Sequence, residues 1–125
     1  MNSGQIGDCT EIVVMASAMR AGYPVAVPHG HAKPYDLLVE RNDGTWAKVQ
    51  AKTITCRGHK MFIPARRSKQ VTGVPRERRY QLGDFDVLAG VEPGTYHVWL
   101  IHFDCINGKT QVTTTRCTKD WEDVL

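Results

Sequence analysis

Asn42-Asp43-Gly44 stands between two runs that both read as strands, 35–40 and 45–54, and this hairpin constrains the fold more than any other feature. Side chains alternate along a strand, so Trp46, Lys48, Gln50 and Lys52 share one face while Ala47, Val49 and Ala51 share the other. The alanine and valine face is apolar and belongs against a core. The opposite face carries two lysines and an amide, with Asp36 opening the partner strand.

The rest of the chain supplies elements to pack against this pair. Residues 3–19 read as a helix, started by Ser3 or Gly4 and ended by Gly22 with Pro24. Ile6, Cys9, Val13, Ala16 and Ser17 line one side, and Ile12, Met15 and Met19 cover another. A helix apolar nearly all round is expected to be largely buried. Glu11 is the exception, at helical spacing from Val14, Met15 and Ala18. A buried carboxylate needs a cation, a donor or a proton.

A short strand is expected at 24–27, a loop at 28–34 and another short strand at 61–63. Residues 64–79 lack apolar periodicity and read as an exposed loop. Strands follow at 84–91 and 95–103, separated by Glu92-Pro93-Gly94, and Asn107-Gly108 signals a second hairpin turn into 110–115. Thr118 is placed to cap a last short helix through Val124. The order predicts an α/β fold: an N-terminal helix, a mixed, mainly antiparallel sheet and a short C-terminal helix. At 125 residues the chain is expected to be one domain, 1–125.

The net charge of +3 is small, but its distribution is uneven. Arg57, Lys60, Arg66, Arg67, Lys69, Arg76, Arg78 and Arg79 are half of the 16 basic residues, and Glu77 is the one acid among them. A segment like that, 57–79, suits a flexible arm along a polyanion, although a merely solvated charged loop has the same composition. Arg66, Arg67, Arg76 and Arg78 are the better candidates for reading bases, since a guanidinium can bond guanine bidentately.

Cys9, Cys56, Cys105 and Cys117 form no Cys-x-x-Cys pair, no secretory leader is legible, and the longest apolar run, 12–19, is too short to span a membrane. Reduced thiols in a cytoplasm are expected, with no membrane partner. A zinc site from His29, His31 and a cysteine fits no common spacing, so these histidines and His59 read as loop residues.

Phosphodiester hydrolysis needs a cation to polarise the phosphate and activate water, and a positive group to hold charge. Magnesium takes oxygen ligands and retains waters, so one or two carboxylates and a carbonyl suffice. Asp36, the side-chain oxygen of Gln50 and the backbone carbonyl of Ala51 supply such ligands, with Lys52 on the face of Gln50. The plainer readings are a strand-capping Asp36 and a solvated Lys52. Asp84 and Asp86 read as closing a turn before the next strand.

At these residues the chain resembles the PD-(D/E)XK nuclease superfamily, whose pattern is a helix glutamate, a strand-opening aspartate and (D/E)-x-K on the adjoining strand. The matching positions are Glu11, Asp36 and Gln50-Ala51-Lys52, with Pro34 near the aspartate but not directly before it. The runs Tyr35-Asp36-Leu37-Leu38-Val39, Val49-Gln50-Ala51-Lys52-Thr53, and Tyr80 through Asp84-Phe85-Asp86-Val87-Leu88-Ala89 are similar to the small nucleases encoded in group I introns, where glutamine also replaces the acid.

The resemblance implies a restriction-endonuclease-like core and Mg2+, with Mn2+ as a substitute. It makes Glu11, Asp36, Gln50 and Lys52 catalytic, and has Glu11 reach the metal through a water. It implies homing-type cleavage of double-stranded DNA in a bacterial or phage-infected cytoplasm. So small a domain cannot read a long site or cut both strands alone, which implies a homodimer or homotetramer. Alternatives are a restriction, repair or junction-resolving nuclease of the same fold, or a DNA-binding protein whose site has decayed at Gln50. An RNA-binding or host-interaction protein using only the basic loop is a further one.

Overall fold

A computed structural model describes residues 1–30, 32–71 and 74–125, with the side chains of 68–71 and 74–78 outside that description. Helix α1 (Ser3–Arg20) is followed by β1 (Val25–Ala26), β2 (Leu37–Glu40) and β3 (Trp46–Thr53). Then come β4 (Thr55–Arg57), β5 (Lys60–Pro64), β6 (Arg66–Val71) and β7 (Val74–Arg79), and finally β8 (Val87–Val91), β9 (Val98–His102) and β10 (Gln111–Thr113). Single turns of 3-10 helix lie at Phe103–Cys105, Thr114–Arg116 and Trp121–Asp123.

The central sheet runs β1-β2-β3-β8-β9. Only the β3–β8 pair is parallel, so the sheet is mixed and mainly antiparallel. The β2–β3 hairpin forms around Asn42-Asp43-Gly44 as expected. Asp43 Oδ1 accepts from Thr45 N at 2.9 Å, and Gly44 takes a positive φ of 88° that a side chain would resist. Strand β3 is central, with Leu37 and Val87 both in register with Val49.

Two apolar layers flank the sheet. On one face Val14 and Ala18 of α1 pack with Leu37, Val39, Val49, Ala51, Val87, Ala89, Leu100 and Trp121. On the other, Ile54, Ile63, Phe85, Leu88, Ile101, Phe103 and Val112 bury a small sheet of order β10-β5-β4. The two sheets meet tightly at Gly90: a Cβ there would lie 2.5 Å from Ile63 Cγ1 and 3.0 Å from Ile54 Cγ1. Only glycine fits that approach.

Several sequence expectations need correction. The helix is not largely buried, since Ile12 and Met19 are 59% and 63% exposed. The sheet covers only the stripe of Thr10, Val14 and Ala18, and among the described residues no second layer covers the far side. The helix does begin at Ser3, as expected, and its N-cap is Asn2, which forms a capping box with Gln5.

Residues 66–79 are not a loop but a hairpin, β6 paired antiparallel with β7 from Arg66↔Arg79 to Val71↔Val74. Among the described residues that two-stranded sheet pairs only with itself, so the apolar alternation that core packing imposes was missing from its sequence. Asn107-Gly108 lies between β9 and β10 in the chain, but the two strands do not pair as a hairpin. Strand β10 pairs instead with β5, Val112 opposite Ile63. The C-terminal helix is one 3-10 turn with Asp120 at its N-cap position making no side-chain capping bond, and Thr118 Oγ1 donates to Asp123 Oδ2 at 2.7 Å.

Candidate active site

Asp36 precedes β2 and is held by its own backbone, its N–H donating to Val49 O at 2.8 Å. Its carboxylate oxygen Oδ2 accepts two hydrogen bonds from β3, from Gln50 Nε2 at 2.8 Å and from Ala51 N at 2.9 Å. The Glu11 carboxyl, arriving from α1, is also a hydrogen-bond partner of the Asp36 side chain. A hydrogen bond between two carboxyl groups requires a proton on one of them unless a cation takes its place. Burial raises the Asp36 carboxyl above its ordinary range, against the opposing pull of the Ala51 N–H, Glu11 and the charge of Lys52.

Gln50 is 8% exposed, and its amide also donates to Ala51 O at 3.2 Å. Both neighbours of that group are acceptors, so the NH2 and not the oxygen faces them. The amide thus points a donor at the two oxygens, from Asp36 and Ala51, that suit a hard cation. Lys52, two residues along on the same face, is half-buried. Burial lowers its ammonium below the usual lysine value, and Asp36 opposes this. Its Nζ donates to Arg66 O at 3.2 Å and stands 5.6 Å from the centre of the Tyr80 ring.

The sequence pattern therefore brings Glu11, Asp36, Gln50, Ala51 and Lys52 into one neighbourhood. The residues present fit a divalent cation of magnesium type: a half-buried acid, a second acid against it and a backbone carbonyl are oxygen donors, and the Gln50 amide adds an oxygen once it turns. Among the described residues no group of three or more histidine, cysteine or acidic side chains could hold a metal. His31 lies outside the described residues, and His29 and His59 sit exposed in a bend and a turn.

A cleft of about 340 Å³ opens beside the pair, lined by Asp8, Glu11, Ile12, Met15, Asp36 and Leu37, together with Val27. Asp8 was missed, although its place one turn before Glu11 was legible as an i, i+3 pair. Tyr80 was missed as well. It is 6% exposed, touched by Asp36's field, and its phenol is pushed well above the ordinary value, chiefly by burial. No sequence signal marks it. A larger groove of about 600 Å³, between α1 and the residues around Tyr96, contains no carboxylate and shares no residue with this cleft.

The basic residues divide over two hairpins. Arg57 pairs with Lys60 across β4 and β5, and Arg66, Arg67 and Arg79 lie at the base of β6 and β7. Lys69, Arg76 and Arg78 fall further along the second hairpin, and their side chains lie outside the description. Asp84 and Asp86 close the turn before β8, accepting from Gln81 N and Lys48 N, each at 2.8 Å.

Residues 1–122 match the PD-(D/E)XK endonuclease family. The chain belongs to that family. Its fold is the restriction-endonuclease-like one, α1 against a mixed sheet, with Asp36 just before β2 and Lys52 on the adjoining β3. The fold is shared with a bacterial homing endonuclease, I-Ssp6803I, at a TM-score of 0.76 and 20% identity, over 90% of this chain and 78% of that one. No curated protein matches by sequence. The chain departs from the PD-(D/E)XK motif at two places: Tyr35 stands directly before Asp36 where the family name places a proline, and Gln50 stands where it places an acid. Among the described residues no helix is long and apolar enough to cross a membrane.

Proposed function

We propose that this PD-(D/E)XK endonuclease is a metal-dependent enzyme that makes site-specific, homing-type cuts in double-stranded DNA. The observation that carries the reading is Asp36: a half-buried carboxylate hydrogen-bonded to β3, set against a second carboxyl, within the field of Lys52. Asp36, the Ala51 carbonyl and a turned Gln50 amide would hold Mg2+ or Mn2+, with Glu11 behind Asp36. The cation's contribution there is to polarise the scissile phosphate and lower the pKa of water.

The chain's own residues do the rest. Asp36 and Glu11 set two carboxyl groups at one point, where their negative charge would hold a divalent cation. Lys52 presents an ammonium to the phosphate, stabilising charge as the bond to the leaving oxygen breaks. The Lys52 ammonium is close enough to Asp36 to feel its charge, so acid and cation act on the same phosphate.

DNA lies, in this reading, along the hairpins carrying Arg57, Lys60, Arg66, Arg67, Lys69, Arg76, Arg78 and Arg79, with phosphate contacts giving affinity and arginines reading base edges. A single domain of this size carries one such site, so a dimer or tetramer cuts both strands. The expected setting is a bacterial or phage-infected cytoplasm.

One observation favours a second reading. Gln50 donates where a ligand should face the metal, as it would in a DNA-binding module whose site has decayed. Incubation with linear duplex, branched junction and plasmid DNA separates the possibilities. Cutting of duplex with Mg2+ that stops with EDTA supports the enzyme. Binding without any cutting, in Mg2+ or Mn2+, would establish the decayed module, and a strong preference for junctions would move the assignment to a resolving nuclease.

A further inference from the structure

We propose that Tyr80 is a positioning residue for Lys52, and that Tyr80 and the Arg66 carbonyl form a seat through which DNA held on the β6–β7 hairpin sets the place of the Lys52 ammonium. This rests on the nuclease reading above but concerns a different link, between the DNA-binding arm and the site.

Both of those contacts of Lys52 come from the feet of one hairpin. Arg66 is the first residue of β6 and Tyr80 directly follows β7, and Arg66↔Arg79 closes the ladder between them. The two feet differ in how they are held. The Tyr80 ring is buried and packs edge-on against Phe85, with centroids 4.8 Å apart, and Phe85 packs in the same way on Phe103 at 5.2 Å. That wall is part of the core. The other wall, the Arg66 carbonyl 3.2 Å from Nζ, belongs to the arm.

The arm is also the segment richest in basic residues, which suits it to a polyanion. Its register sets Arg66 opposite Arg79, Arg67 opposite Arg78 and Lys69 opposite Arg76. That is a backbone register of basic positions, and a two-stranded ribbon has few partners to hold it. A DNA backbone bound along this ribbon adds contacts that fix its place. Any resulting shift of β6 moves the Arg66 carbonyl against the fixed Tyr80 ring, and Lys52 lies between them. Binding and cleavage are then coupled: a backbone seated correctly on the arm puts the ammonium at the scissile phosphate, and a poorly seated one leaves it displaced.

The test uses the whole protein and a duplex that it cuts, with Ca2+ replacing Mg2+ for the binding measurements. The side-chain resonances of Lys52 are assigned by their loss in Lys52→Arg. Adding duplex is expected to shift them in the wild type and in Tyr80→Phe. In single-turnover cleavage with Mg2+, Tyr80→Leu should fall about tenfold or more while its DNA Kd stays within about twofold, because it loses the cation–π wall but no phosphate contact. Tyr80→Phe keeps the ring and should recover most of the rate.

Wild-type rates in Tyr80→Leu would overturn the proposal, as would rate and affinity falling together, or Lys52 resonances that ignore the duplex. Should Tyr80→Leu fail to fold, the wild-type titration decides alone. Undiminished cutting by Lys52→Ala would instead remove the nuclease reading, a result separate from whether Lys52 follows the arm.

Discussion

Gln50→Glu tests the site most sharply, because it exchanges a donor for a third carboxyl at a buried point. The wild-type amide donates at 2.8 Å to Asp36 and at 3.2 Å to the Ala51 carbonyl, and the variant loses both bonds. A hydrogen bond to a charged group is worth about 1.5–3 kcal/mol and a neutral one about 0.5–1.5 kcal/mol, so metal-free stability at neutral pH should drop by about 2–4 kcal/mol. For a chain of this size that lowers Tm by roughly 10 °C.

The new carboxyl is buried among acids, so its folded pKa lies above its unfolded one. Its protonated form is tolerated, and the loss should therefore shrink at acid pH and grow as pH rises through the folded pKa. A divalent cation reverses the effect. One more anionic ligand should tighten Mn2+ binding by about ten- to a hundredfold, or about 1.4–2.7 kcal/mol. Thermal unfolding in EDTA across pH and calorimetric titration with Mn2+ measure both. Equal melting in EDTA together with unchanged Mn2+ affinity would refute the idea that the amide stands in for a cation.

Three further outcomes follow from other parts of the molecule. Because burial raises the Asp36 carboxyl, its contribution to stability is present below its unfolded value near 3.8 and is lost as pH climbs through the folded one. Asp36→Asn should thus abolish cutting yet melt higher than wild type in EDTA at neutral pH, and a lower Tm there would contradict that account. Gly90→Ala forces a methyl group into Ile63 and should cost about 1–3 kcal/mol in urea unfolding, with an unchanged m-value. Arg67→Ala and Arg79→Ala should each reduce the slope of log K against log salt by about 0.9, and an unchanged slope would take that arginine off the phosphate backbone.

The sequence was most readable where local chemistry and packing agree. The Asp43-Gly44 turn fixes the register of β2 against β3, and that register alone brings Asp36 beside Gln50 and Ala51. Glu11 was legible for the same reason, a charge at helical spacing among apolar residues. The arm was misread because Arg66–Val71 and Val74–Arg79 pair only with each other, so nothing forced hydrophobic residues onto alternate positions. The exposure of Ile12 and Met19 depended on how far a sheet elsewhere in the chain would reach. The β5–β10 pairing joins segments far apart in sequence, and the Asn107-Gly108 turn carries no information about which strand waits beyond it. Tyr80 was hidden for a related reason: its contact with Lys52 exists only once the hairpin returns to the core.

The most direct measurement of the central claim is cleavage of duplex DNA by wild type, Asp36→Ala and Lys52→Ala, with Mg2+ and with EDTA, beside DNA binding in Ca2+. The account predicts Mg2+-dependent cutting by the wild type alone, with both variants binding within about threefold of it because their changes lie off the phosphate-contacting arm. Full cutting by either variant, or cutting that persists in EDTA, would contradict it.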